Sequence, residues 1–208
     1  MKSGFVSLLG RPNAGKSTLL NRLVGTKIAV VADKPQTTRE TIQGVAHFPD
    51  AQVVFLDSPG IHEPRNKLNR RMMREVKNAL EARDLLLLLV DATVPFGRGD
   101  ERAVELVRSA RTPALLALNK IDRLVRKDAL LPLIDKYRTM HDFEEYFPIS
   151  ALTGKGVEEL VPALIRRLPE GPQYFPPDYI TDQPLRHLAA ELVREKVIQE
   201  TREARLAG

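Results

Sequence analysis

The segment of residues 10–17 constrains the fold of this chain more than any other part of its sequence. It reads Gly-Arg-Pro-Asn-Ala-Gly-Lys-Ser, follows an apolar run at residues 5–9 and precedes a helical pattern at residues 18–24. Glycines let the backbone curl so that successive N–H groups point inward, and the helix that follows presents its positive N-terminus to the same space. A glycine-bearing loop between a buried strand and a helix therefore predicts a site for phosphate groups.

The side chains of this loop indicate a nucleoside triphosphate that is bound together with Mg²⁺. Lys16 can neutralise the β- and γ-phosphates, which also makes it a candidate catalytic residue, and the Ser17 hydroxyl can ligate the metal ion. The residues that we expect to contact the nucleotide here are Gly10, Arg11, Pro12, Asn13, Ala14, Gly15, Lys16, Ser17 and Thr18.

Apolar runs alternate with helical patterns along the rest of the chain. The runs lie at residues 53–56, 85–90, 114–118 and 147–149, and the helical patterns at residues 69–83, 101–110, 130–140 and 157–168. Short buried strands that alternate with helices predict an α/β fold with a mostly parallel central sheet and helices on both faces. Residues 41–48 are strand-like and no helix follows them, so one antiparallel edge strand is expected. With the phosphate loop, this pattern predicts a P-loop NTPase with a Ras-like G domain.

The run Asp57-Ser58-Pro59-Gly60 ends the second apolar strand and points to the γ-phosphate. An aspartate there can hold Mg²⁺ through a bound water, and the Gly60 N–H can reach the γ-phosphate, which makes Gly60 a candidate catalytic residue. We expect nucleotide contacts at Asp57, Ser58, Pro59, Gly60 and Ile61. Ile61 lies at the place where Ras-type enzymes use a glutamine to orient the attacking water. Isoleucine cannot orient water, so we expect slow intrinsic hydrolysis that is helped from elsewhere.

The motif Asn-Lys-Ile-Asp, which begins at Asn119, predicts that the base is guanine. The Asp122 carboxylate can accept hydrogen bonds from guanine N1 and N2, whereas adenine presents the opposite pattern and would leave it unpaired. Asn119 can bridge towards the phosphate loop, and the stem of Lys120 can lie over the ring. Ser150 and Ala151 follow the last predicted strand and add a backbone N–H that can meet guanine O6.

The polar residues between the first helix and the strand-like segment predict a nucleotide-dependent switch. A threonine there can reach Mg²⁺ and sense the γ-phosphate, and we favour Thr38 over Thr37 as this ligand and as a candidate catalytic residue. The predicted switch residues are Gln36, Thr37, Thr38, Arg39 and Glu40, and the predicted protein ligands of the metal are Ser17, Thr38 and Asp57.

The composition is typical of a globular protein of the cytoplasm. The chain is 43% hydrophobic and 28% charged and contains no cysteine, which fits a reducing compartment. No signal peptide is visible, and the longest apolar stretch, residues 85–90, is too short to span a bilayer. The net charge of +5 favours partners that carry phosphate, such as RNA or an anionic membrane surface. We expect a cytoplasmic monomer, with the inner face of the cell membrane as a second location.

Together these motifs resemble those of a known group of proteins. The runs GRPNAGKS, QTTR, DSPG, NKID and SA occur in the order and spacing of the translation-factor-related GTPases. The Gly-Arg-Pro-Asn loop and residues 175–182 (Phe-Pro-Pro-Asp-Tyr-Ile-Thr-Asp) resemble the Era family of bacterial ribosome-assembly GTPases. The resemblance implies hydrolysis of GTP to GDP, as a nucleotide-dependent switch in assembly of the small ribosomal subunit. It also implies K⁺ as a cofactor, because related GTPases use an asparagine at the place of Asn13 to help hold this ion.

The chain divides into three parts on this interpretation. Residues 1–168 are expected to form the GTP-binding domain, residues 169–181 a proline-rich semi-rigid linker, and residues 182–208 the first helix of a C-terminal KH domain. Era proteins bind small-subunit ribosomal RNA through a KH loop of Gly-x-x-Gly type, and no such run follows Asp182. RNA binding is therefore expected to lie mostly outside this chain.

Two alternatives stay open from the sequence. A relative that acts in transfer-RNA modification or large-subunit assembly would share the nucleotide motifs, although not residues 175–182. A GTP-gated binding module with negligible turnover would share all of them.

Overall fold

A six-stranded sheet forms the centre of the molecule. The computed structural model describes residues 1–29, 41–61, 73–76, 78, 80, 83–184, 186, 188–190, 193, 196 and 197. The strand order is β2-β3-β1-β4-β5-β6, in which β2 and β3 are antiparallel and the other neighbours are parallel. The strands are β1 (Lys2–Gly10), β2 (Ile42–Phe48), β3 (Ala51–Asp57), β4 (Leu85–Asp91), β5 (Ala114–Asn119) and β6 (Tyr146–Pro148).

Helices cover both faces of this sheet. They are α1 (Lys16–Val24), α2 (Arg98–Ala110), α3 (Leu130–Arg138) and α4 (Val157–Arg167), with 3₁₀ turns at Ile121–Arg123 and Lys127–Ala129. Residues 73–76, 78 and 80 are also helical. In the part of the chain that the structure describes, no helix has the length and apolar character needed to cross a membrane.

Two apolar cores explain why the strands read as continuous hydrophobic runs. Alternate residues of β4 point into opposite cores, and its Leu85 to Leu89 are fully buried. The core on one side packs the sheet against α1 and α4, and the core on the other side packs it against α2 and α3. A parallel sheet that is covered on both faces needs such strands. The predicted α/β fold and its antiparallel edge strand are confirmed.

Residues 169–182, which we call the strap, first pair with the start of β1, then contact β3, and reach the outer edge of β2 at residues 179–182. The Val45 N–H donates to the Ile180 carbonyl at 2.8 Å, and the Thr181 hydroxyl donates to the Gln43 carbonyl at 2.6 Å. The Asp182 carboxylate accepts the Gln43 N–H at 3.3 Å. The proline-rich segment that the sequence predicts as a semi-rigid linker is therefore hydrogen-bonded to the sheet edge.

A buried glutamine fixes the middle of the strap. Gln52 of β3 has no exposed surface, and its side-chain oxygen accepts the N–H groups of Tyr174 and Phe175 at 2.8 and 3.0 Å. Its amide nitrogen donates to the Phe175 carbonyl at 2.8 Å. Tyr174 also packs against Phe5 with ring centroids 5.2 Å apart. One polar side chain thus satisfies three backbone groups of a segment without regular structure.

Candidate functional site

The phosphate loop joins β1 to α1 through backbone conformations that few residues adopt. Gly10, Asn13 and Gly15 have φ angles of 150°, 63° and 97°. A Cβ atom on Gly15 would lie 2.2 Å from the side-chain nitrogen of Asn119, so only glycine fits there. Because α1 begins directly after the loop, at Lys16, the positive N-terminal end of the helix adjoins the loop.

Lys16 lies inside the curl of the loop. Its Nζ is 3.4 Å from the Gly10 carbonyl and 3.3 Å from the Arg11 carbonyl, and the residue is buried. Burial lowers the pKa of Lys16, although the nearby Asp57 carboxylate opposes this shift. A buried ammonium group held by two carbonyl dipoles is placed to exchange them for phosphate oxygens.

Asp57 at the end of β3 meets Ser17 at the start of α1. The Ser17 hydroxyl donates to Asp57 Oδ2 at 2.6 Å, and Asp57 is 0% exposed. Burial raises the pKa of Asp57, while the charge of Lys16 and the hydrogen bond from Ser17 oppose the rise.

The second oxygen of this carboxylate indicates what the pair can bind. Asp57 Oδ1 is buried and has no hydrogen-bond partner among the residues that the structure describes. A buried carboxylate oxygen without a partner is costly unless a cation or a bound water completes it. Carboxylate and hydroxyl oxygens are ligands that Mg²⁺ prefers, and Mg²⁺ bound with substrate phosphates needs only one or two protein ligands. Ser17 and Asp57 therefore fit the magnesium site that the sequence predicts.

Residues 58–61 are fixed against the phosphate loop. The Ser58 hydroxyl donates to the Leu8 carbonyl at 2.9 Å, and the Ile61 N–H donates to the Gly10 carbonyl at 2.9 Å. A Cβ atom on Gly60 would lie 2.6 Å from the backbone nitrogen of Pro12, so the glycine backbone packs directly on the loop. Pro59 is buried beside it.

The side chain of Ile61 points away from this site. It is 2% exposed and belongs to the core between the sheet and helices α2 and α3. Ile61 is among the predicted nucleotide contacts, and the structure leaves only its backbone beside the phosphate loop.

Asn119 connects the phosphate loop to the predicted guanine loop. Its amide nitrogen donates to the Ala14 carbonyl at 2.7 Å, and its oxygen accepts the Ala151 N–H at 2.8 Å. The predicted bridge towards the phosphate loop is thus present. Asp122 lies two residues beyond Lys120, exposed in the 3₁₀ turn.

We expected a backbone N–H of the segment Ser150-Ala151 near guanine O6, and the N–H groups of both residues have partners within the protein. Ser150 N–H donates to the Lys155 carbonyl at 2.8 Å, and Ala151 N–H donates to Asn119. A contact between either group and O6 therefore requires a shared hydrogen bond. Ser150 is fully buried, and its hydroxyl accepts the Thr153 N–H at 3.1 Å, so the loop is held by its own polar groups.

Two side chains that support the base site are absent from our sequence prediction. Arg22 of α1 donates from Nε to the Ala151 carbonyl at 2.7 Å and also hydrogen-bonds the Leu152 carbonyl. Asp91 at the end of β4 accepts Lys120 Nζ at 2.5 Å and the Thr93 hydroxyl at 2.6 Å. The only signal for Asp91 is its position at the carboxyl end of a parallel strand, where ligands bind in open α/β sheets.

The same contacts set the charge of Asp91. Partial burial works against ionisation, but the hydrogen bonds from Lys120 and Thr93 outweigh it and lower the pKa of Asp91. Asp91 is therefore a stable anion that can hold the Lys120 ammonium group.

Some predicted site residues cannot be placed. Gln36, Thr37, Thr38, Arg39 and Glu40 lie outside the described residues. Thr18 is half-buried in the first turn of α1, directly after Ser17. The predicted switch thus remains a prediction.

The fold and the site together define a class of protein. A phosphate loop, a buried aspartate at the end of β3 and an Asn-Lys-x-Asp motif meet at the carboxyl edge of one sheet, which is the arrangement of a P-loop GTPase. A family model described as "50S ribosome-binding GTPase" matches residues 5–120.

Solved structures of similar proteins narrow the class. A crystal structure of Era in complex with MgGDPNP and nucleotides 1506–1542 of 16S ribosomal RNA is 44% identical, with a TM-score of 0.90 over 94% of this chain and 67% of that chain. A variant of Aquifex aeolicus Era bound to GDP·AlF4⁻ is also 44% identical, with a TM-score of 0.90 over 96% and 68%. The FeoB G-domain from Methanococcus jannaschii is 25% identical, with a TM-score of 0.56 over 79% and 96%. The chain belongs to the Era family, and it is a GTPase that hydrolyses GTP.

Proposed function

We propose that this protein is a GTP-hydrolysing switch that acts in assembly of the small ribosomal subunit and contacts its ribosomal RNA in the cytoplasm. The observation that carries the proposal is the similarity to Era in complex with MgGDPNP and 16S ribosomal RNA, at 44% identity and a TM-score of 0.90. The net charge of +5 supports a partner that carries phosphate.

The proposed roles of the site residues follow from their contacts. Ser17 and Asp57 would hold Mg²⁺, with Thr38 as a further ligand, and the ion would supply positive charge beside the β- and γ-phosphate oxygens. Lys16 releases the Gly10 and Arg11 carbonyls and neutralises the phosphates. Gly60, packed on Pro12, directs its N–H to the γ-phosphate.

Hydrolysis also needs a group that orients the attacking water. Ile61 cannot supply it, because its side chain is apolar and lies in the core. The water-orienting group therefore comes from another part of the chain or from the partner. Intrinsic turnover should therefore be slow, and a ribosomal particle should stimulate it.

Single-turnover hydrolysis tests this function most directly. GTP turnover is measured for the protein alone, with purified small subunits and with purified large subunits. Stimulation by small subunits, and its loss in the Lys16→Ala variant, is the expected result. A second candidate is action on the large subunit, which the description of the matching family model supports. Stimulation by large subunits alone would favour that second function and contradict the first.

RNA binding by residues 1–208 alone should be weak and dependent on salt. A KH domain clamps the RNA backbone with a Gly-x-x-Gly loop, and no such run follows Asp182 in this chain. The remaining attraction is general positive charge, and such binding falls steeply as the salt concentration rises. Titration of ribosomal RNA across a salt series checks this. Tight, salt-resistant and sequence-selective binding would show that the GTPase domain itself reads RNA.

Potassium should accelerate hydrolysis relative to sodium. Asn13 is exposed in the phosphate loop with a φ of 63°, and a side-chain oxygen there can help to hold a monovalent cation next to the charge that develops between the β- and γ-phosphates. Asn13→Ala should abolish the difference between the two salts. Asn13→Gly is the matched variant, because it removes the side chain and still tolerates a positive φ. Equal rates for the unmodified protein in K⁺ and Na⁺ would contradict the proposal.

A further inference from the structure

The side chain of Arg11 leaves the phosphate loop and pairs with α2. Arg11 NH1 lies 2.9 Å from Asp100 Oδ2, and the Asp100 side chain is only 5% exposed. The same oxygen accepts the Gly97 N–H at 3.0 Å, at the start of the helix. The ion pair therefore ties the first half of the phosphate loop to the N-terminus of α2.

A tyrosine from a third element completes this cluster. Tyr137 of α3 is 1% exposed, and its hydroxyl is close enough to Asp100 for the charge of that carboxylate to act on it. Its ring contacts Phe96 edge-on, with centroids 5.1 Å apart. Burial and the Asp100 charge raise the pKa of Tyr137, so the hydroxyl remains a donor. Asp100 is thus a buried carboxylate that accepts hydrogen bonds from the Arg11 side chain and the Gly97 N–H, an arrangement that fixes geometry when its groups are satisfied.

The phosphate loop consequently has two separate anchors. Asn119 holds the second half through the Ala14 carbonyl at 2.7 Å. Asp100 holds the first half through the side chain of Arg11, whose own carbonyl accepts the Ala14 N–H at 3.2 Å and Lys16 Nζ at 3.3 Å. The second half continues into α1, where N–H groups surround the β-phosphate of both GTP and GDP.

The first half of the phosphate loop contacts Gly60, whose proposed partner, the γ-phosphate, is present in GTP and absent from GDP. Gly60 packs against the backbone of Pro12, the residue that follows Arg11, and Gly60 is the proposed donor to the γ-phosphate. A shift of Pro12 therefore moves the surface on which Gly60 rests. Misplacement by about 1 Å of a group that positions the reaction can cost on the order of a hundredfold in rate.

We infer that Asp100 is a positioning residue for GTP hydrolysis, which acts through Arg11 and Pro12 on the placement of Gly60 at the γ-phosphate. The inference rests on the proposed role of the phosphate loop and of Gly60. On this inference Asp100 affects the rate of GTP hydrolysis, whereas the affinity for GDP depends on Asn119 and the N-terminus of α1.

The test compares Asp100→Asn with Glu101→Gln in the full chain. Asparagine keeps an oxygen that accepts the Gly97 N–H and removes the charge that holds Arg11. Glu101 is exposed in the same helical turn, so its variant controls for loss of one negative charge near the N-terminus of α2. Single-turnover hydrolysis should slow about tenfold in Asp100→Asn, while the Kd for GDP changes less than about twofold. Glu101→Gln should match the parent in both.

A double-mutant cycle with Arg11→Met shows whether the effect passes through the ion pair. If it does, the double variant should hydrolyse GTP no more slowly than the slower of the two single variants. Arg11→Met also tests the inference if Asp100→Asn fails to fold. It breaks the same ion pair by changing Arg11, which is the more exposed of the two partners.

Two results would overturn the inference. One is an unchanged hydrolysis rate in Asp100→Asn or, if that variant does not fold, in Arg11→Met. The other is an equal loss of hydrolysis rate and GDP affinity together with a lower Tm, since that result means general damage. Lys16→Ala separates this inference from the proposed role of the loop. If Lys16→Ala still hydrolyses GTP at the parent rate, the assignment of the loop fails, whereas an inactive Lys16→Ala beside a normal Asp100→Asn refutes only the role of Asp100.

Discussion

The guanine end and the phosphate end of the nucleotide site differ in how far their polar groups find partners within the protein. At the guanine end, Asn119, Ala151 and Arg22 are linked by hydrogen bonds within the protein, and Lys120 is paired with Asp91. At the phosphate end, charged groups are buried with incomplete partners. Within the described part of the chain, Asp57 Oδ1 has no hydrogen bond, and Lys16 Nζ lies 3.3 and 3.4 Å from two backbone carbonyls.

The difference shows which part of the site the protein completes by itself. A base pocket that is already hydrogen-bonded can be rigid before the nucleotide arrives, so little ordering is lost on binding. The phosphate end keeps buried charges whose pKa values are shifted by burial, and such groups are satisfied only when phosphate and metal complete them. We therefore expect the base to be recognised by side chains that are already fixed by hydrogen bonds. The difference between GTP and GDP would be recognised by buried charged groups that can still change partners.

The largest effect is expected from a substitution that disrupts only the guanine end of the site. Asp122→Asn should weaken GTP binding by about 3 kcal/mol and favour xanthosine triphosphate, because the loss of two charge-assisted hydrogen bonds has roughly that cost. The dependence of binding on Mg²⁺ should not change, since the phosphate end is intact. Competitive titration with both nucleotides measures the preference. A variant that still prefers GTP would refute the assignment of Asp122.

A smaller effect is expected from removing the hydrogen bonds by which Arg22 holds the loop at residues 151–152. Arg22→Met keeps most of the side-chain volume and removes the hydrogen bonds to the Ala151 and Leu152 carbonyls. GDP should dissociate about tenfold faster, because about 1.4 kcal/mol is a typical cost for such contacts. Stopped-flow release of a fluorescent GDP analogue measures this. Arg138→Met, at an exposed position on α3, is the control and should leave the release rate unchanged.

The smallest effect concerns the phosphate end and depends on pH. Because the pKa of Asp57 is raised in the folded state, the native protein binds its proton more readily than the unfolded chain does. The stability of the nucleotide-free protein should therefore fall as the pH rises from the ordinary aspartate pKa through the raised one, by at most about 1.4 kcal/mol per pH unit.

The same substitution at both ends sharpens the comparison. Asp57→Asn should reduce this slope, and Asp122→Asn, at an exposed site, should leave it unchanged. Urea denaturation over a pH series, without Mg²⁺ or nucleotide, gives both slopes. Equal slopes in the parent and Asp57→Asn would show that the Asp57 carboxylate is not the group that titrates.

The strands, the helices and the phosphate loop can be predicted from the sequence because the signals for them lie in neighbouring residues. The alternation of apolar runs and helices, the glycines of the phosphate loop and the strand-end position of Asn119 each follow from neighbouring residues. Boundaries differ by a few residues, as at α2, which starts at Arg98 because Asp100 accepts the Gly97 N–H.

Contacts between distant parts of the chain have no local signal. Arg22 and Ala151 are 129 positions apart, and Arg11 and Asp100 are 89 positions apart, so neither pair can be read from a short pattern. Ile61 is a different case, because the sequence pattern does not show where its side chain lies. Its place after the Asp57–Gly60 run suggests a nucleotide contact, but its apolar side chain is stabilised more by burial in the core.

The strap also has a consequence for the behaviour of the protein at high concentration. A strand at the border of a sheet offers unpaired N–H and C=O groups to any other chain, and this is a common origin of aggregation. On β2 these groups are partly occupied, since Val45 bonds to Ile180 and Gly44 forms a bridge with Thr181. The opposite border strand, β6, is only three residues long and ends in Pro148, which cannot donate a hydrogen bond. Neither border therefore offers a long template for a second copy, and loss of the strap would expose the longer of the two.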